Sequence, residues 1–370
     1  MSQIPVLRIL DASLNRATEG LRVIEDYARF VLDDSFLTHM AKTLRHDLAA
    51  SSAAISSTDR HAARDTQHDV GTQISTEAES ERLGTWDVCA ASFKRAEQSL
   101  RSLEEYGKIV SGEFAGRCES LRYRLYTLEK AFDVNRVSRD ALDGVTLCVL
   151  LNGSSSAAEF EAIVKSLVAA HVGMIQLRDK NLDDRDLVDR GRRLVSLTRR
   201  PALHDRQRPA MPGVSVTHQT ATVAIINDRP DIAAIVDADG VHVGQEDMSV
   251  KDARAIVGPR MLVGVSTHNI DQARAAVLDG ANYLGAGPTF TSTTKSFNQF
   301  AGLEYLREVA TEIQLPTFAI GGITAKNVDD VLATGITRVA VSGAITSAPD
   351  RASATTELLS ILNRRSPLAV

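Results

Sequence analysis

The sequence predicts two folds in one chain: an all-helical bundle over residues 1–136, then an α/β domain, a (β/α)8 TIM barrel, over residues 137–370. Three observations carry this division. Before Arg136 apolar residues recur at steps of three and four, and strand-like alternation is almost absent. After Arg136 eight short apolar runs alternate with helical patterns, over a length close to the roughly 250 residues typical of such a barrel. Glycine-rich and charged segments follow those runs, where a barrel gathers its strand ends into one rim.

In the bundle, Leu10, Leu14, Ala17, Leu21, Ile24, Ala28 and Val31 form the stripe of one long helix. Trp86, Cys89, Phe93, Ala96, Leu100, Leu103, Gly107 and Val110 form another. The two helices also match in polar residues. Arg16 and Arg95, Arg22 and Arg101, Glu25 and Glu104, and Tyr27 and Tyr106 are identical at a constant spacing of 79 positions (16 to 95, 25 to 104). The next helix repeats more faintly, Leu44, Arg45 and Leu48 against Leu121, Arg122 and Leu125. Chance convergence of amphipathic helices would match apolar positions only. A duplicated helical hairpin is therefore expected, forming a four-helix bundle of approximate two-fold symmetry.

In the barrel, the expected strands are Val145–Leu151, Gly173–Leu177, Val223–Ile226, Gly240–Val243, Met261–Val265, Tyr283–Ala286, Thr317–Ile320 and Arg338–Val341. The helical patterns between them are Ala157–Ala170, Asp184–Thr198, Val250–Val257, Ile270–Leu278, Leu303–Ile313, Ala325–Ala333 and Arg351–Leu362. A doubly wound sheet is the alternative, but eight units without a GxGxxG opening argue against it. Residues 199–222, with three prolines, read as an inserted surface loop before the third strand.

A net charge of −5 implies no basic surface and hence no nucleic-acid partner. Cys89, Cys118 and Cys148 are far apart, which gives neither a disulfide framework nor a CxxC metal pair. The N-terminus lacks a signal-peptide pattern, and no run approaches the roughly 18 apolar residues of a membrane span. The expectation is a soluble, cytoplasmic protein that acts on small molecules, without membrane partners. Assembly into a homo-oligomer stays open.

The rim carries the chemistry. Gln176, Arg178 and Lys180 alternate at the end of the second strand, so all three point to one side. Arginine offers a planar fork to phosphate oxygens and lysine a point charge. Asn227 and Asp228 end the third strand, and Asp247, beside Glu246, follows the fourth. Carboxylates from adjacent strand ends suit Mg2+, which keeps positions for water and substrate phosphate. Taken alone, Asp228 also reads as a helix N-cap before Arg229 and Pro230. Ser266, Thr267 and His268 end the fifth strand; Ser266 can bond a phosphate or ring nitrogen, and His268 reads as a polar loop residue. The sixth is followed by Gly285, Gly287, Thr289, Thr291, Ser292, Thr293, Thr294 and Lys295. Glycine-rich turns at Gly321–Gly322 and Ser342–Gly343 form the phosphate cradle that many barrels share.

QLRDK, IINDRPD, DGVHVGQED, LVGVSTH, the GAGPTF…TTK loop, IGGIT and VSGAIT occur in order, each at a strand end. With them the chain from about Asp143 onward resembles thiamin phosphate synthase (thiamin-phosphate pyrophosphorylase), a transferase. The resemblance implies condensation of a hydroxymethylpyrimidine pyrophosphate with a thiazole phosphate, releasing pyrophosphate. It implies that Gln176, Leu177, Arg178, Asp179, Lys180 and Asn227 hold the pyrimidine pyrophosphate and that Asp228 and Asp247 bind Mg2+. Ser266 and Lys295 would contact the pyrophosphate, with Arg178, Lys180, Ser266 and Lys295 as the catalytic group. Ser292, Thr293, Thr294, Gly322, Ser342 and Gly343 would take the thiazole phosphate. Thr291 and Ser292 depart from the family's usual Pro-Thr, which keeps the hydroxyl and changes loop stiffness. A thiazole tautomerase has a similar barrel but needs neither pyrophosphate nor metal; the cationic and acidic set argues against it.

The front part carries LDASLNRATEGLRVIEDYARFVLDD, LRHDL, RDTQHDVGT and KRAEQSLRSLEEYGK. It resembles the helical domain fused ahead of some thiamin phosphate synthases, which looks like a hydroxymethylpyrimidine-phosphate kinase. No GxxxxGK[ST] loop is present. A polar row of Asn15, Glu19, Arg22, Asp26 and Arg29, echoed by Lys94, Gln98, Arg101, Glu105 and Lys108, reads equally as a solvated face of a scaffold or dimerisation module.

Overall fold

A computed structural model describes residues 3–69, 82–198, 222–291 and 301–364. The chain divides into two compact units, Met1–Asp133 with Glu312–Gln314, and Val134–Thr311 with Leu315–Val370.

The first unit holds helices α1 (Ile4–Tyr27), α2 (Ser35–Ser52), α3 (Ser57–Ala63) and α4 (Thr85–Gly107), and the start of α5 (Gly112–Ala141). Leu10, Leu14, Ala17, Leu21 and Ile24 of α1 are buried, as the stripe requires. The stripe fails at Val31, which is 43% exposed while Leu32 is buried. The cause is a π-helical turn, Ala28–Leu32, that closes α1. Its wider winding rotates the next residue inward. Asp33, left-handed at φ 55°, and Asp34, whose carboxylate accepts from the Leu37 N–H at 2.8 Å, end that helix and start α2. α1 and α4 cross closely at Gly20, where an added Cβ would lie 2.9 Å from the Ser92 carbonyl oxygen. Tyr27, Trp86, Phe93 and Phe132 fill the adjoining core with edge-on and tilted ring contacts.

The polar residues of the sequence repeat also repeat in space. Glu25 is buried and accepts from Arg45 Nε at 2.8 Å and Arg22 at 3.4 Å. Glu104 is buried and accepts from Arg122 Nε at 3.0 Å and Arg101 at 2.8 Å. Buried Asp11 pairs with Arg64 at 2.7 Å and Arg60 at 3.5 Å.

The second unit is a closed barrel of eight parallel strands in sequential order. They are β1 (Leu147–Leu151), β2 (Met174–Leu177), β3 (Val223–Asn227), β4 (Gly240–Val243), β5 (Leu262–Thr267), β6 (Tyr283–Ala286), β7 (Thr317–Ile320) and β8 (Arg338–Val341). The sequence expectation is met strand for strand. The helices between them are α6 (Ala157–Ala169), α7 (Asp184–Thr198), α8 (Pro230–Val236), α9 (Val250–Val257), α10 (Ile270–Asp279), α11 (Gly302–Glu312), α12 (Val328–Leu332), α13 (Gly343–Thr346) and α14 (Arg351–Arg364). The short α8 and α13 are absent from the expected set, and the Ala325–Ala333 pattern contracts to α12. The insertion lies outside the described residues apart from Thr222, whose hydroxyl donates to the Val172 carbonyl at 2.8 Å. All three cysteines are buried free thiols. Among the described residues no helix is long and apolar enough to cross a membrane.

Inside the barrel, Cys148, Met174, Val223, Ile225, Leu262, Tyr283, Phe318 and Ala340 form one apolar cluster. Large rings fit because the neighbouring strands carry glycine. A Cβ at Gly264 would meet the Tyr283 ring at 2.1 Å, and one at Gly285 would meet His242 Cε1 at 3.0 Å.

Candidate active site

Two residues further along the inward-facing rows, the barrel interior turns polar. Gln176 follows Met174, Asn227 follows Ile225, and Ser266 lies beyond Leu262 and Gly264. The period of two keeps them facing inward at the C-terminal ends. Gln176, 4% exposed, donates from Nε2 to Asn227 Oδ1 at 2.6 Å. His242 of β4 joins Tyr283 Oη through Nδ1 at 3.2 Å and Ser266 Oγ through Nε2 at 2.9 Å. Burial, helped by nearby Arg178 and opposed by Asp247, lowers its pKa to about 4, so the imidazole is neutral at neutral pH.

The charges stand just above this layer. Asp228 has a left-handed backbone, φ 60°, and its N–H donates to the His242 carbonyl at 2.8 Å. Lys180 Nζ lies 3.7 Å from its Oδ2. Burial and the hydrogen-bonded carboxyl of Asp247 raise the Asp228 pKa, while Lys180 and Arg178 oppose that. Two carboxyls sharing a site repel each other when both are ionised, and a cation relieves this. Asp247 is fixed through Oδ2, which accepts from the Gly244 N–H at 2.8 Å. The helix-capping alternative for Asp228 is not realised: Arg229 precedes α8 and no side-chain cap is made. Thus Gln176, Arg178, Lys180, Asn227, Asp228, Asp247 and Ser266 belong to one rim sector over β2 to β5.

The opposite sector is built from β6, β7 and β8. The Thr289 N–H donates to the Ile320 carbonyl at 2.9 Å, and Phe290 N–H to Gly321 at 3.0 Å. Gly321 (φ 104°) and Gly322 (φ 66°) allow this approach, since a Cβ on Gly322 would lie 2.5 Å from the Thr291 carbonyl oxygen. His268 Nδ1 donates to the Gly287 carbonyl. Ser342 Oγ donates to the Leu150 carbonyl at 3.1 Å, and Gly343 begins α13.

Two expected substrate contacts have other structural duties. Leu177 is buried at 1% exposure, so its side chain packs rather than reaching the rim. Burial disfavours the charged form of Asp179, yet the N–H groups of Gly153, Asn181 and Leu182 hold its pKa below the ordinary carboxylate value. It ties β1 to the β2 loop. Ser292, Thr293, Thr294 and Lys295 lie outside the described residues. His242 is not among the residues expected from sequence: HVGQED stands out for its acids, and the only signal for the histidine is its position two residues after Gly240 on the same strand.

Residues 203–345 match the family model described as thiamine monophosphate synthase, and residues 8–131 match the ThiD2 family. A thiamine-phosphate synthase from Rhodopirellula baltica is 42% identical over 349 residues, covering 92% of this chain and 88% of its own length. The chain belongs to the thiamine-phosphate synthase family. It is therefore a transferase. Another thiamine-phosphate synthase, from Synechocystis sp., is 36% identical and covers 99% of both chains. These relatives span both units of the family member, including β1 and β2, which the first family model leaves out. A solved thiamine phosphate pyrophosphorylase from Pyrococcus furiosus is 32% identical, covering 60% of this chain and 96% of that one with a TM-score of 0.48.

Proposed function

We propose that the barrel joins a 4-amino-5-hydroxymethyl-2-methylpyrimidine pyrophosphate to 4-methyl-5-(2-phosphoethyl)thiazole, free or carboxylated, forming thiamin phosphate and pyrophosphate. The observation that carries this reading is the cluster of Asp228, Asp247, Lys180 and Arg178 above a neutral polar layer, in a chain of this family.

Among the described residues no group of three or more His, Cys, Asp or Glu could hold a metal. Two carboxylates nevertheless fit Mg2+, which binds through one or two carboxylates plus water and substrate phosphate. Asp228 and Asp247 would hold it. Such an ion supplies charge neutralisation to a diphosphate leaving group.

In the reaction the carbon–oxygen bond to pyrophosphate breaks, and its electron pair leaves with the oxygen. Positive charge spreads into the aminopyrimidine, and the thiazole nitrogen lone pair forms the new carbon–nitrogen bond. That nitrogen carries no proton, so no general base is required. His242 agrees with this, since both of its ring nitrogens are engaged. It orients the Ser266 hydroxyl, while Gln176 and Asn227 orient the pyrimidine. Arg178, Lys180 and, by family resemblance, Lys295 stabilise the departing anion. Gly322, Ser342 and Gly343, with Ser292, Thr293 and Thr294, seat the thiazole phosphate, and holding the two substrates in line replaces a bimolecular encounter. Pyrophosphate release that requires both substrates and is lost on chelation of Mg2+ tests the reading.

We further infer that the bundle is a hydroxymethylpyrimidine-phosphate kinase domain that makes the pyrophosphate the barrel consumes. Its ThiD2 match and its buried ion pairs support this; ADP formation from ATP and the pyrimidine monophosphate tests it.

A further inference from the structure

The two copies of the bundle's buried Glu–Arg pair differ in what covers the arginine. In the second copy Arg122 is sealed. Its Nε and Nη2 donate to Glu104 at 3.0 and 2.8 Å, and its Nη1 donates to Tyr126 Oη at 3.3 Å. The guanidinium carbon lies 4.7 Å from the Tyr123 ring centre and 5.6 Å from that of Tyr126. Its side chain is 9% exposed. In the first copy the residues aligned with Tyr123 and Tyr126 are His46 and Ala49, both exposed. Arg45 is 23% exposed, and among the described residues its hydrogen bond runs through Nε to Glu25.

That difference has a chemical meaning. A guanidinium has two edges able to form paired hydrogen bonds. Glu25 takes the Nε of Arg45, and among the described residues no hydrogen bond engages Nη1 or Nη2 of this partly exposed side chain. Arg22 sits on the same glutamate at a loose 3.4 Å and is half-exposed, so its donors can turn to a ligand. Asp26, 3.4 Å from Arg22, balances the local charge, so recognition here depends on directed donors rather than on net field. A buried ion pair contributes little net stability. Sealing one copy with aromatic rings while leaving the other open therefore calls for a reason other than stability.

We propose that Arg45, with Arg22, is the phosphate-binding fork for a small phosphate monoester, and that Arg122 is its closed structural counterpart. This rests on the kinase reading, which makes the pyrimidine monophosphate the ligand. The test uses the full chain, with KM and kcat for ADP formation from ATP and that monophosphate. The single tryptophan, Trp86, packs on Tyr27 and reports bundle integrity. Two variants close or blunt the fork: Arg45→Lys, and His46→Tyr combined with Ala49→Tyr, which copies the sealed arrangement. Each should raise the KM for the monophosphate roughly 10- to 100-fold, the worth of a charge-assisted hydrogen bond, with the Trp86 melting midpoint kept. Arg122→Lys should lower that midpoint and leave the KM unchanged. An unchanged KM in the double tyrosine variant, or an equal rise in Arg122→Lys, overturns the proposal. If the wild-type chain forms no ADP, the kinase reading fails, and direct titration with inorganic phosphate decides the site. Binding weakened by the two tyrosines keeps the fork; no binding removes it.

Discussion

Lowering the pH should weaken the barrel through His242, by an amount the structure sets. The ring is buried in the barrel, between Tyr283 and Ser266, and burial lowers its pKa from the ordinary 6.5 to about 4. The folded-state value is the lower one, so the unfolded chain takes up the proton first. The contribution is fully present above pH 6.5 and is lost as the pH falls towards 4. At about 1.36 kcal/mol for each pKa unit, the gap between 6.5 and about 4 is worth about 3 kcal/mol. Two measurements check this. A ring-proton NMR titration, assigned by comparison with His242→Gln, gives the pKa directly. Urea unfolding of wild type and His242→Gln across the same range gives the stability. The variant should lose most of the acid sensitivity of the barrel and should turn over more slowly, because Ser266 loses its orienting partner. A midpoint near 6.5, or parallel pH profiles for the two proteins, would refute the reasoning.

Other outcomes follow from the same structure. Gly264→Ala drives a methyl into the buried Tyr283 ring and should cost about 1–3 kcal/mol in urea unfolding, with reduced synthase activity because the ring anchors His242. In the bundle, burial and the neighbouring Glu129 carboxyl raise the Glu97 pKa from 4.5 to about 6 against the pull of Lys94. The folded value is the higher one, so its stabilising contribution is present below pH 4.5 and lost as the pH rises through 6. Glu97→Gln should flatten that slope, on the order of 1–2 kcal/mol, in Trp86-monitored melts. Lys180→Ala and Asp228→Asn should each lower synthase kcat by roughly 100-fold or more while leaving the melting profile near wild type.

The barrel was legible because its strands are short, apolar and evenly separated by helices, so period and count agree. Gln176, Arg178 and Lys180 were legible from alternation at the end of β2, whereas Asn227, Asp228 and Asp247 were legible as polar and acidic residues just past adjacent strands, since Asn227 and Asp228 are consecutive and Asp247 lies four residues beyond β4. Short helices were less so: α8 and α13 are too brief to show a helical period, and the N-cap alternative for Asp228 before Pro230 was the one hint of α8. The π-helical turn at Ala28–Leu32 left no mark on the apolar stripe, which predicted Val31 inward. His242 was hidden because a histidine in a strand is ordinary until its neighbours are known, and Tyr283 and Gly285 come from another strand. Asp179 shows the converse. Its place in QLRDK suggested a ligand contact, whereas three backbone N–H groups claim both of its carboxylate oxygens.

The most direct trial is the stoichiometry of a single incubation: purified chain, Mg2+, pyrimidine pyrophosphate and thiazole phosphate, with inorganic pyrophosphate and thiamin phosphate both quantified. Equimolar formation of the two products, absent without the metal and absent in Asp228→Asn, is the expected result. Thiamin phosphate formed at an undiminished rate by Asp228→Asn, or formed fully without a divalent cation, would contradict a barrel rim organised around a charge-neutralised leaving group.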